Sequence, residues 1–226
     1  MYPVRTLGLD SFCCLLYQDS MRQLAFTIKT WGGKRTGAGR KPNGVDAGIP
    51  HGPRPELSRH HPVHVTLRVV RGCWNLRAYR FLDALKPAFA AGRDRFGFRL
   101  VHYTVQGNHL HLLVEAGDKT ALSTGMKGLA VRCARAINGV MGRKGRVFAD
   151  RYHEHVLKSR REVAHALRYV FGNFAHHAKR WGAQIAAAFV DPFSSVAWFA
   201  AEIPAGAPVA APATWLLRVG WRDAPR

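Results

Sequence analysis

Two histidines on alternate residues, His109 and His111, stand inside the apolar run Gly107-Asn108-His109-Leu110-His111-Leu112-Leu113-Val114. In an extended strand this alternation projects both imidazoles from one face and Leu110 and Leu112 from the other, so the two rings can share a divalent ion. Some sixty residues on, a helical segment carries Tyr169 and Asn173 four apart and hence on one helix face, the order a metal-assisted tyrosine nucleophile needs. A phenol with a pKa of about 10 attacks poorly at neutral pH, and a phosphodiester repels anions. A cation answers the second difficulty by neutralising and orienting the scissile phosphate. Two imidazoles and one side-chain amide oxygen leave coordination positions open, a set compatible with Mg²⁺ or Mn²⁺. Attack by Tyr169 would store the bond energy as a phosphotyrosine and allow rejoining without ATP.

Each feature also has a plainer reading, since alternate histidines often serve structure and a tyrosine at a helix edge often packs. Charge narrows the choice. The chain holds 34 Lys+Arg against 14 Asp+Glu, a formal net charge of +20 in 226 residues and a sequence pI near 10.9, which favours a polyanionic partner. No segment approaches the roughly 20 unbroken apolar residues of a membrane-spanning helix. Phe12-Cys13-Cys14-Leu15-Leu16-Tyr17 is a short apolar run preceded by Asp10, and it makes a poor signal peptide. A cytoplasmic, nucleoid-associated protein is expected, with Met1 or Met21 as its start. Cys13, Cys14, Cys73 and Cys133 lack C-x-x-C spacing, which suggests a reducing compartment.

The elements that must position these side chains fall in three parts. Residues 1–62 hold an N-terminal extension and a Gly/Arg/Lys-rich stretch, Gly32 to Pro42, which reads either as a minor-groove arm or as a solvated linker. Residues 63–183 read as one α+β domain, and residues 184–226 as a tail that packs on the domain or contacts DNA. Within the domain, Val63 to Val69 alternate as a strand, Asn75 to Ala91 read as a helix that Pro87 must bend, and Phe96–Val105 and His109–Val114 form a hairpin about Gln106-Gly107-Asn108. A helix from about Ala121 to Ile137 turns Leu122, Met126, Leu129 and Cys133 inward and Lys127, Arg132 and Arg135 outward. Val147-Phe148 and His153 to Leu157 suggest strand, and Arg161 to His177 a third helix with Val163, Leu167, Val170 and Phe174 as its apolar stripe. His165, Tyr169, Asn173 and His177 make a polar edge beside that stripe. This order predicts a ferredoxin-like antiparallel sheet with helices on one face.

With the elements in place, residues 107–113 resemble the histidine-hydrophobic-histidine (HUH) motif of single-tyrosine transposases, and Leu167-Arg168-Tyr169-Val170-Phe171-Gly172-Asn173 is similar to their tyrosine helix. Arg151-Tyr152-His153-Glu154-His155-Val156-Leu157 resembles the strand before that helix in the REP-associated branch. The resemblance spans roughly Val63 to Ala183. It implies cleavage and rejoining of single-stranded DNA, often near hairpins, through a 5′-phosphotyrosine and a free 3′-hydroxyl. It also implies Tyr169 as nucleophile, His109, His111 and Asn173 as metal ligands, and a monomer or homodimer as the working form. Two positions depart from the pattern: Gly107 stands for the usual Pro before Asn, and Phe174 for a Pro after Asn173. Glu115 shares the strand face of the histidines and is an alternative ligand, farther along the strand. Arg35, Arg40, Lys41, Arg71, Arg143, Lys144, Arg146 and Arg151 are expected DNA contacts on charge alone. Two other classes stay open: an idle DNA- or RNA-binding regulator on the same fold, and a structural domain whose His109, His111 and His153 or His155 hold zinc.

Overall fold

The period-two alternation along Val63–Arg68 buries Val63, Val65 and Leu67 and leaves His64 and Thr66 on the opposite side, forming strand β1. In the computed structural model of the chain, residue 52, residues 54–180, 182, 184, 186, 189–199 and 202–224 are described. Residues 1–50, with Arg35, Arg40 and Lys41, lie outside them. After β1 come α1 (Tyr79–Gly92), β2 (Asp94–Arg95), β3 (Phe98–Val105), β4 (His109–Ala116), α2 (Lys119–Val140), β5 (His153–Val156) and α3 (Arg160–Arg180). The five strands pair antiparallel in the order β2-β3-β4-β1-β5. The expected α+β fold with a ferredoxin-like strand order is therefore what the described residues form.

The helices differ from the expectation of one covered face. α1 and α2 bury Phe81, Leu82, Leu85, Phe89, Leu122, Met126, Leu129, Cys133 and Ile137 against Val63, Val65, Leu67, Leu110, Leu112 and Val114. α3 sits on the other face, where Val163, Ala166, Leu167 and Val170 meet Leu113 of β4 and Val101 of β3. The physical reason is a register irregularity between Leu100 and His102, which aims Val101 at the α3 side and supplies a second apolar patch. Leu113 supplies the rest, because it alternates with the apolar residues facing α1 and α2.

Local signals account for the helix ends. Asp118 accepts from the Ala121 N–H at 2.7 Å and starts α2. At α3, Ser159 and Glu162 form a reciprocal capping box: the Glu162 N–H donates to Ser159 Oγ (3.2 Å) and the Ser159 N–H to Glu162 Oε2 (2.9 Å). α1 starts later than its apolar pattern does. Asn75 Oδ1 accepts the Arg77 N–H (3.0 Å) and the Leu76 N–H donates to Gly107 O (2.9 Å), so these residues dock the β3–β4 turn. The helix then runs through Pro87. Val147-Phe148 makes only a bridge from Phe148 to Val69.

The segment after α3 closes the open edge of β3. Val105 donates to Phe193 O (2.8 Å), Ser195 to Tyr103 O (2.9 Å) and Ala210 to Leu100 O (2.8 Å). Asp191, buried, pairs with Arg77 through two bonds of 2.8 and 3.0 Å, and Arg77 lies between the rings of Phe174 and Phe193. Glu115 accepts the N–H groups of Ala213 and Thr214 and the Thr214 hydroxyl, at 2.7 to 2.8 Å. In this tail Trp221 packs beside Leu217, whereas Trp215 is 57% exposed.

His102 is buried between this segment and α3, against Phe171 and Phe199, and burial pushes its pKa down to about 4. Unfolded chain binds a proton there below about pH 6.5, and folded chain does not until about pH 4, so acid favours unfolding across that window. His102→Phe keeps Ser195 Oγ satisfied by the Tyr103 N–H (2.9 Å). Between pH 7 and pH 4.5 the variant should lose less stability than the parent by on the order of 2 kcal/mol, read by urea denaturation of metal-free protein. Equal losses would place His102 outside the linkage.

Candidate active site

Strand β4 sends His109, His111 and Leu113 to the α3 face, and its pairing with β1 sets Thr66 opposite His111. The two imidazoles converge, with His109 Nε2 2.9 Å from His111 Nε2. Their other nitrogens have oxygen partners. His109 Nδ1 donates to Asn108 Oδ1 at 2.6 Å, and His111 Nδ1 lies 3.1 Å from Thr66 Oγ1 and 3.2 Å from His64 Nε2. These partners favour the tautomers that put the proton on Nδ1 and the lone pair on Nε2. Two lone pairs facing each other repel unless a proton or a cation stands between them.

Burial and neighbouring imidazoles keep the cluster neutral. Burial, then His109, His64 and His177, lower the His111 pKa to about 3. Burial, then His155 and His153, lower that of His64 to about 4. His109 is lowered by burial, His177 and Arg68.

α3 crosses this cluster with its polar edge inward. The Tyr169 hydroxyl is 3.3 Å from His111 Nε2, and its ring stands edge-on to those of His111 and His64. Tyr169 remains 46% exposed and borders a cleft of about 650 Å³ that also touches His64, His155, Arg161 and His165. Asn173, one turn on, is 2% exposed, and its Nδ2 is buried with no hydrogen-bond partner. His177, a further turn on, lies within electrostatic reach of both His109 and His111. The helix face therefore brings Tyr169, Asn173 and His177 together over the strand pair, whereas His165 lines the outer cleft.

The donors fit a cation. A spacing of 2.9 Å between nitrogens is that of adjacent ligands at a right angle on an ion whose bonds are about 2.1 Å long. A third ligand would be the amide oxygen of Asn173, which is buried one helical turn beyond Tyr169. Glu115 is engaged by the tail and does not join. Among the described residues no group of three or more His, Cys, Asp or Glu side chains is disposed to hold a metal, and His153 and His155 sit on the outer strand, so the zinc arrangement does not form.

The departures from the motif have local causes. A Cβ on Gly107 would approach Asn75 Oδ1 to 3.2 Å, which suits a small residue at the docked turn. Phe174 stacks under Arg77 at 3.7 Å, and α3 continues to Arg180, carrying His177 to the cluster. Of the expected DNA contacts, Arg71 and Lys144 are exposed. Arg143 and Arg146 brace their own loop, through Asn138 Oδ1 (3.0 Å) and Phe148 O (2.7 Å) respectively. Arg151 donates to Gly52 O (3.3 Å) and has a buried Nε without a partner. His64 and Thr66 escaped the motif reading, although their place on the polar side of β1 was a signal.

The profile of the family described as IS200-like transposases matches residues 64–177. No curated protein matches the chain. Among solved structures, a REP-associated tyrosine transposase bound to a REP hairpin is similar in fold, with 14% identity and a TM-score of 0.50 over 67% of this chain and 85% of its own. A bacterial tRNA(His) guanylyltransferase-like protein in complex with GTP has 18% identity and a TM-score of 0.42, over 59% of this chain and 71% of its own.

The neutral state of the cluster is directly measurable. In a ¹⁵N NMR titration of metal-free protein, His111 should remain neutral at pH 5, where a free imidazole is mostly protonated, because its pKa lies at about 3. A midpoint near 6.5 would contradict the buried geometry.

Proposed function

The chain belongs to the IS200-like transposase family, whose profile spans half of it, and from that premise we propose that it cleaves and rejoins single-stranded DNA with Tyr169 as nucleophile. Transposase-like DNA binding is the function the family carries; strand scission, the metal and the substrate are our reading. The observation that carries it is the 3.3 Å approach of the Tyr169 hydroxyl to His111, residues 58 positions apart in sequence. A phenol edging a paired imidazole site is what phosphoryl transfer to tyrosine needs.

A divalent ion, Mg²⁺ or Mn²⁺, held by His109, His111 and Asn173 would neutralise and orient the scissile phosphate. Asn108 and Thr66 hold the rings of His109 and His111 so that Nε2 faces inward. Tyr169 Oη would bond to phosphorus as the P–O3′ bond breaks; the phenol gives up its proton and the departing 3′ oxygen takes one up. Attack by a 3′-hydroxyl on the phosphotyrosine reverses these changes and joins the strands. The cleft beside Tyr169 is wide enough to seat a nucleotide next to the scissile linkage. By analogy with the hairpin-bound transposase, DNA with a short hairpin is the substrate to try first. The chain would work as a monomer or homodimer, in the cytoplasm with the nucleoid. Among the described residues no helix is long and apolar enough to cross a membrane.

Incubation of hairpin DNA carrying single-stranded flanks with Mn²⁺ should yield a covalent protein–DNA adduct that Tyr169→Phe abolishes while DNA binding persists. Binding without adduct in either protein would support the idle regulator instead. Thr66→Val, which removes the oxygen beside His111 Nδ1, should weaken Mn²⁺ binding by about 10- to 100-fold by isothermal titration, with the fold intact by circular dichroism. An unchanged affinity would remove His111 from the ligand set.

A further inference from the structure

On the sheet face opposite the histidine cluster, a groove of about 390 Å³ runs between the end of α1, the β2–β3 turn and α2. Arg95, Lys127, Arg132 and Arg135 line it and no carboxylate does. None of the four has an ion-pair partner among the described residues. Lys127, Val131 and Arg135 recur at one-turn intervals along α2, so the basic row is about 12 Å long. Gly128 contributes the floor: a Cβ there would meet Arg132 Nη1 at 3.1 Å, and glycine lets the guanidinium lie along the helix.

At the mouth stands Phe96, 77% exposed, with φ +54°. A non-glycine residue in the left-handed region costs stability, and a large apolar ring left in water returns none. The ring is left largely in water, with the Arg95 guanidinium over it at 6.0 Å. The turn therefore presents an aromatic face outward beside a row of uncompensated cations.

We infer that this groove binds a single-stranded nucleic acid, a base stacked on Phe96 and the phosphates along Lys127, Arg132 and Arg135, as a site separate from the tyrosine cluster. Unpaired bases stack on exposed rings, whereas the bases of a duplex are already stacked on each other. An anionic partner follows from four cations facing a groove with no acid in it. Binding here does not depend on strand scission.

The test uses the full chain in EDTA, where cutting does not enter, with fluorescence anisotropy on a labelled 16-nucleotide oligothymidylate and on a blunt duplex. Asn accepts the left-handed backbone, so Phe96→Asn removes the ring and keeps the turn. It should weaken oligothymidylate binding about tenfold, leave the duplex within twofold, and melt no lower than the parent. Lys127→Gln with Arg135→Gln should lower the slope of log affinity against log salt by about 1.4 for the single strand. Unchanged oligothymidylate affinity in Phe96→Asn, an equal loss for the duplex, or a lower Tm without loss of binding would each overturn the proposal.

Discussion

The site depends on the pleat of one strand pair. β4 is buried on both faces: Leu110, Leu112 and Val114 belong to the core beneath α1 and α2, while His109, His111 and Leu113 face α3. A slip of one residue against β1 would move the imidazoles into the apolar core and the leucines under α3, so the burial that stabilises the sheet also selects the histidine face. Leu113, in the same row as the histidines, is what lets a single face be polar at one end and apolar at the other.

Once that face is set, α3 has little freedom. Its stripe Val163, Leu167 and Val170 must find Val101 and Leu113, which turns Tyr169 and Asn173 toward the imidazoles about a quarter-turn away. Both ends are held: Ser159 and Glu162 cap the start, and Phe174 stacks on Arg77, itself paired with Asp191. Because Arg77 also donates to Val105 O at 3.1 Å, the second half of the tyrosine helix is tied to the end of β3 through one guanidinium. The segment after α3 thus supports the site without contributing a proposed ligand.

Residues whose role follows from periodicity were legible in sequence. The alternation of β4, the stripes of α2 and α3 and the four-residue step from Tyr169 to Asn173 each act locally, and the strand order followed from them. Face assignment was not legible, because an apolar stripe states that a helix packs but not on which side of the sheet; here a register irregularity at Val101 decided it. The roles of His64 and Thr66 were not legible, since their contact with His111 exists only after β1 and β4 pair. The Ser159-x-x-Glu162 spacing is a capping-box signature legible in the sequence. Asn75 stood inside an apolar helical pattern, and its side-chain turn defeated the periodicity.

Charge explains why the histidine cluster is buried as well as paired. For the cation of the proposed function, imidazoles that are already neutral need not shed a proton to bind it. Imidazoles meet this only when their protonated form is disfavoured, and burial beside other imidazoles does so for His111 and His64, with pKa values of about 3 and 4. A carboxylate in place of either ring would bind a cation more tightly, but it would also repel the phosphate proposed to approach Tyr169. On this argument the neutral cluster leaves the site attractive to an anion, the surrounding arginines add to that attraction, and Glu115, the acid in the same strand row, is kept out of reach by the tail.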